Sequence, residues 1–186
     1  MTRVLLIRHG ATAGNLQRRY IGRSDEGLCP AGLVQVEALQ AQGLQAELLF
    51  VSPMLRTRQT AEILFPGMTA ELVPGLRETD FGIFEGKTAD ELSDSTDYRT
   101  WVDSGCQGEI PGGESVPDFK QRCREAFLQC MARVPEGSSA AFVIHGGCIM
   151  AILEALALPK KDFYDYHISN GNCIACSYEA GALRLL

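Results

Sequence analysis

Short unbroken apolar runs alternate with segments of helical periodicity along the whole chain. The run Val4-Leu5-Leu6-Ile7 reads as a buried strand over 3–8, followed by a turn at Gly10 and a helical stretch near 12–19. After a loop through Gly22, Asp25 and Gly27, Pro30 opens a helix to about Gln42. Its expected inner face is Leu33, Val36, Ala38 and Leu39. A second apolar strand covers 46–51. Ser52-Pro53 then reads as an N-cap followed by proline in the first helical turn, with the helix running to Leu64. A short strand at 70–73 precedes an irregular stretch at 75–87, a helix at 88–95 and an aperiodic polar segment at 96–114. Val116, Phe119, Cys123, Phe127, Cys130 and Met131 recur at helical spacing within 115–133. Strand 140–145, helix 147–157 and a hairpin of 173–178 with 182–186 complete the chain. Strands alternating with helices predict an α/β fold, a three-layer α/β/α sandwich around a mostly parallel central sheet.

Composition narrows this picture. With 186 residues and 46% apolar content, the chain can bury a core and is expected to form a single domain over 1–186. Within it, 96–114 is read as a short insertion over the site. The 23 acidic residues against 17 basic ones give a net charge of −6 and no basic track, which argues against nucleic acid. The same balance repels anions at long range, so an anion site needs a local concentration of positive charge. No segment approaches the ~20 apolar residues of a membrane span, and the N-terminus lacks the pattern of an export signal. Seven cysteines, odd in number and scattered, fit a reducing compartment, so a cytoplasmic location without disulfides is expected.

Two of the three histidines share one setting, an apolar strand followed by His-Gly and a helical segment: Arg8-His9-Gly10 and Ile144-His145-Gly146. The carboxyl ends of parallel strands are where such sheets open onto ligands. Neutral imidazole is a nucleophile near pH 7, and arginine suits bidentate phosphate contacts, so the pair points to phosphoryl chemistry. Two other motifs are set aside. Gly82–Thr88 looks like a phosphate-binding loop but has one residue too few between its glycines. Cys173 and Cys176, three apart on a strand, point to opposite faces, so core packing is expected for them rather than a metal site. His167 has no matched setting and reads as an ordinary surface histidine.

The ordered set Arg8-His9-Gly10 with Thr12 and Asn15, Ser52-Pro53 to Thr60, Leu76 to Gly86, Gly112 to Ser115, and Val143 to Gly147 resembles the histidine phosphatase superfamily, the phosphoglycerate-mutase-like proteins. The likeness covers nearly the whole chain. It implies that His9 is the nucleophile that becomes phosphohistidine and that Glu78 is the general acid. Arg8, Arg56, Asn15 and His145 would hold the phosphoryl oxygens, His145 also counting as catalytic. Backbone N–H groups after Gly10 and Gly146 could assist. Such chemistry uses no metal and no cofactor. The short segment after the acid favours hydrolysis over transfer, and within the phosphatase branch the chain is similar to α-ribazole and broad-specificity phosphatases. A small phosphorylated metabolite, with α-ribazole 5'-phosphate one candidate, is the implied substrate. Mutase-type transfer, phosphohistidine protein phosphatase activity and non-catalytic phospho-ligand binding are the alternatives. Residues 16–28 and 96–114 are expected to line the acceptor pocket, through Arg19, Tyr20, Arg23, Tyr98 or Trp101. Ala11 and the run Asp25–Cys29 depart from the family pattern near the expected rim. Oligomeric state cannot be read from these residues.

Overall fold

A computed structural model describes all of residues 1–186. Strands β1 (Thr2–Arg8), β2 (Leu48–Val51), β3 (Ala70–Leu72), β4 (Ser139–Ile144), β5 (Cys173–Glu179) and β6 (Ala182–Leu185) form one sheet in the order β3-β2-β4-β1-β5-β6. The first four in that order run parallel, while β5 pairs antiparallel with both β1 and β6. The sheet is therefore mixed but mostly parallel, as the patterning predicts. Helices α1 (Ala13–Leu16), α2 (Pro30–Gln40), α3 (Leu55–Leu64), α4 (Thr96–Asp103), α5 (Val116–Met131) and α6 (Gly146–Leu156) complete it, with 3₁₀ turns at Pro74–Leu76, Gly82–Phe84 and Phe163–Tyr166.

Side chains alternate across each strand, and this sorts the core into two layers. Leu5, Ile7, Leu49, Val51, Ala141 and Val143 meet α2 and α3 on one face. Val4, Leu6, Phe50, Phe142 and Ile144 meet α5 and α6 on the other. Phe142 sits between Phe50 and Phe127, with ring centroids at 4.9 and 4.8 Å. Cys173 packs with the first layer and Cys176 with the second, so their thiols diverge as expected. All seven cysteines are free. No helix is long and apolar enough to cross a membrane.

Several local expectations are corrected. Residues 88–95 form turns, and the helix comes later as α4, where Ser95 caps the Tyr98 N–H. The segment 96–114 thus contains a helix instead of being aperiodic throughout. On α2 the inward residues are Gly32, Val36 and Leu39; Leu33 and Ala38 face outward. Gly10 packs so tightly on Gly32 that a side-chain carbon there would strike its carbonyl, which draws the glycine inward in place of Leu33. Ser52 is not a helix cap. The α3 helix begins at Leu55, whose N–H donates to Asp25 Oδ1 at 2.6 Å.

Candidate active site

Strand register brings the two histidines together. β1 and β4 pair with Arg8 opposite Ile144, so His9 and His145 leave the sheet side by side. Their rings pack edge to face with centroids 5.2 Å apart, and both are buried. β2 lies on the other side of β4, and Ser52, just past its end, places Oγ 2.7 Å from His145 Nε2.

Hydrogen bonding assigns the His9 tautomer. His9 Nδ1 lies 2.7 Å from the Gly10 carbonyl, which can only accept, so Nδ1 carries the proton and Nε2 keeps its lone pair. Burial, then the nearby Arg56 charge, lowers the His9 pKa to about 3, with Arg8 adding to the effect. The ring is therefore neutral at pH 7. His145 is held well below the usual histidine range, first by burial and then by the Arg56, His9 and Arg8 environments. The Ser52 hydroxyl can serve its Nε2 as donor or as acceptor; as donor it leaves the His145 proton on Nδ1.

The guanidinium groups are fixed from behind. Arg56 is 1% exposed; its Nη1 donates to Ser24 O at 2.7 Å and its Nη2 to Gly22 O at 2.9 Å. Glu85 shapes that loop, accepting from the Gly22 and Ser24 N–H groups through Oε1 at 2.7 and 2.9 Å. Arg8 Nη1 donates to Ile168 O at 2.6 Å. Burial lowers the pKa of both arginines while Glu78 opposes the shift; both remain cations at neutral pH. Glu78 itself accepts from Thr79 N–H and from Gly147 N–H, each at 3.0 Å, at the start of α6. A side-chain carbon on Gly147 would clash with its Oε1.

Asn15 reaches this group at one remove. Its Oδ1 accepts from Thr12 N–H at 3.1 Å and from Asn170 Nδ2 at 3.3 Å, and Asn170 also donates to His9 O at 3.1 Å. Its own amide donors are left over. Expected backbone donors are already engaged: Ala11 N–H with Gln35 Oε1, Thr12 N–H with Asn15 Oδ1 and Gly147 N–H with Glu78. Across the whole chain, four buried polar side-chain atoms have no partner. Three of them are Arg8 Nε, Arg56 Nε and His145 Nδ1. Buried polar atoms are nearly always paired, so three unpaired nitrogens in one cluster, two of them guanidinium donors, mark a place built to receive a group with several oxygens.

Two hollows share Glu78 as a wall. One is a polar cleft of about 580 Å³ reaching Arg23, Arg77, Asp80, Glu114 and Arg122. The other, about 270 Å³, runs from Arg8, Gly146 and Gly147 to aromatic side chains that include Tyr20 and Trp101. Of the other expected lining residues, Arg19 is engaged with Glu91 and the Gly86 carbonyl, and Tyr98 is buried behind Tyr20. Asp25 and Glu26 bind backbone N–H groups of Leu55 and Gly14, and Ala11 is buried, so this part of the expected rim braces the loop. His167, set aside as a surface histidine, is exposed yet borders the smaller cavity. Ser52, Glu85 and Asn170 are the residues that sequence reasoning missed. Ser52 and Glu85 carried a signal, since both lie in stretches that resemble the family; Asn170 carried none.

The family model for the histidine phosphatase superfamily (branch 1) matches residues 4–186. The chain belongs to that superfamily. Its superfamily relatives include "Probable phosphoglycerate mutase GpmB" of Enterobacter sp. (strain 638), 36% identical over 168 residues, covering 86% of this chain and 77% of that protein. The superfamily fold recurs in the α-ribazole phosphatase of Shigella flexneri, with a TM-score of 0.89 and 22% identity over 99% of this chain and 94% of the other. A phosphoglycerate mutase of Thermus thermophilus superposes with a TM-score of 0.75 at 28% identity, covering 99% and 96%. Histidine phosphatase superfamily members are phosphatases and mutases, and this chain is accordingly a member of an enzyme family.

Proposed function

We propose that this chain is a metal-independent phosphomonoesterase that hydrolyses a small phosphorylated metabolite through a phosphohistidine. The observation that carries this reading is the trio of unpaired buried nitrogens on Arg8, Arg56 and His145 around a neutral His9. In the first step the lone pair on His9 Nε2 forms the N–P bond as the ester P–O bond breaks. The departing oxygen takes a proton from Glu78. In the second step water attacks phosphorus, gives its proton to Glu78, and the N–P bond breaks to release phosphate. Charge on the equatorial oxygens is met by Arg8, Arg56, His145 Nδ1–H and the Asn15 amide, donors that are already in place before reaction. We assign residues 1–186 to one functional unit, with 96–114 as a partial cover over the site, acting in the cytoplasm.

Phosphoglycerate mutase activity is the second reading, favoured by relatives that are probable phosphoglycerate mutases. Retention of a phosphoryl group requires water to be kept from His9, whereas Glu78 here borders a polar cleft open to exposed Arg23 and Arg77. That supports hydrolysis. The test is turnover of p-nitrophenyl phosphate, α-ribazole 5'-phosphate and 3-phosphoglycerate in EDTA. Phosphate release abolished by His9→Ala is expected. Glu78→Gln should slow alkyl phosphates by about 10²–10⁴-fold and p-nitrophenyl phosphate far less, since its phenolate leaves without a proton. Isomerisation of 3-phosphoglycerate faster than its hydrolysis overturns the proposal in favour of the mutase.

A further inference from the structure

The smaller cavity is more specific than the phosphate site requires. Its inner end is Arg8, Glu78, Gly146 and Gly147, and its walls include Tyr20, Phe81, Trp101, Met150 and Phe163. Beyond Arg8 and Glu78, His167 is the one other ionisable nitrogen or carboxyl group on its surface. The nearby Lys120 is neutralised by Glu154 at 2.9 Å and lies against the Phe163 ring. Beyond Arg8 at the inner end, a leaving group bearing a carboxylate or a second phosphate would meet only the exposed His167 there. An uncharged ring would meet apolar walls over most of its surface.

These walls are also held in place. The Tyr20 hydroxyl is 2.8 Å from that of Tyr98. The Tyr20 ring lies 5.1 Å from Phe81, tilted, and 5.8 Å from Trp101, edge to face. Phe84, fully buried, backs Tyr98 and Trp101 at 5.4 and 5.6 Å. A cluster ordered before binding loses little side-chain freedom when a ring docks. We infer that this cavity is the leaving-group subsite and that it selects phosphomonoesters whose alcohol carries an uncharged aromatic ring. This rests on the phosphomonoesterase reading for its catalytic consequence, though not for binding.

Both consequences can be measured separately on the full-length chain. Benzyl and 2-phenylethyl phosphates are compared with ethyl phosphate, whose leaving oxygen is of similar basicity, and with 3-phosphoglycerate. The expected kcat/KM is at least tenfold higher for the ring-bearing esters than for ethyl phosphate, with 3-phosphoglycerate poorest. Trp101→Ala should lower the benzyl-to-ethyl ratio severalfold. Tyr164→Ala, at an exposed position on the same wall, should lower it too. Trp101 is the chain's one tryptophan, so its fluorescence reports occupancy without turnover. The non-hydrolysable 2-phenylethylphosphonate should change that signal and bind at least tenfold more tightly than ethylphosphonate. If the esters turn over with equal kcat/KM, or both phosphonates bind equally, the subsite is overturned while hydrolysis stands. If the ring phosphonate binds selectively but no ester is hydrolysed, the subsite stands and the hydrolase reading falls.

Discussion

A single carbonyl determines which nitrogen of His9 is available. The Gly10 oxygen holds the proton on Nδ1, and burial beside two guanidinium groups keeps the other nitrogen bare at neutral pH. A Ser52 hydroxyl donating to His145 Nε2 would do the reciprocal service, leaving Nδ1–H as a donor. Ser52→Ala removes that lock. A hydrogen bond of this kind is worth about 1 kcal/mol, so kcat/KM is expected to fall roughly five- to tenfold, with 15N-detected NMR showing mixed tautomers at His145. An unchanged tautomer would remove the argument. Gly147→Ala probes the acid. The new methyl group collides with the Glu78 carboxyl, the far end of a flexible side chain, so the chain should fold normally while Glu78 is pushed aside. A displacement near 1 Å at a reacting group costs on the order of 10²-fold. Kinetics with an alkyl phosphate and a urea titration together separate that loss from unfolding. At this scale the sequence was informative where chemistry and position coincide. Arg8, His9 and His145 stand out because strand ends followed by His-Gly are rare. Ser52 did not stand out, since Ser-Pro before a helical run fits a cap equally well, and Asn170 and Glu85 act through loops whose partners are far away in the chain.

Elements place these residues by register and by caps borrowed from elsewhere. Parallel pairing of β1, β4 and β2 aligns His9, His145 and Ser52 along one edge of the sheet; the strands could be read from the apolar runs, their order and register could not. The cap of α3 could not. Its first N–H donates to Asp25, thirty positions earlier in the chain. Arg56 is the second residue of that helix, and the loop carrying Asp25 also supplies the two carbonyls that grip its guanidinium. Asp25→Ala should therefore lower stability by about 1 kcal/mol, as lost caps do, and reduce kcat/KM for every phosphate ester alike. Denaturant titration and kinetics on two unrelated esters check this; a loss confined to one ester would place Asp25 at the substrate instead. The α4 helix was illegible for a different reason. It has eight residues with Tyr98 and Trp101 as its buried positions, too few to set a period, and its N-cap Ser95 lay inside the stretch expected to be helical. What orders it is the aromatic cluster with Phe84 and with Tyr20, the latter far earlier in the chain.

Taken as a whole, the molecule carries a net charge of −6 but gathers the buried Arg56, the half-buried Arg8 and two neutral histidines at one edge of its sheet. Keeping imidazoles neutral in that setting has a consequence for the entire fold. In the unfolded chain His9 takes up a proton near the ordinary value of 6.5, whereas in the folded protein it does so only at about 3. Between those limits the unfolded state binds more protons, so acidification favours unfolding and stability falls as pH drops. Above pH 6.5 both states are neutral at this site and the dependence vanishes; below about pH 3 both are charged and it vanishes again. Burial of His145 acts in the same direction. From pH 6.5 to 5, where few carboxylates titrate, His9 alone should remove roughly 1–2 kcal/mol of unfolding free energy. His9→Asn keeps an amide donor for the Gly10 carbonyl and deletes the titration. Urea unfolding of both proteins across this window should show a shallower pH slope for the variant. Parallel slopes would mean that His9 is charged or exposed in the folded chain, and the neutral nucleophile would have to be abandoned.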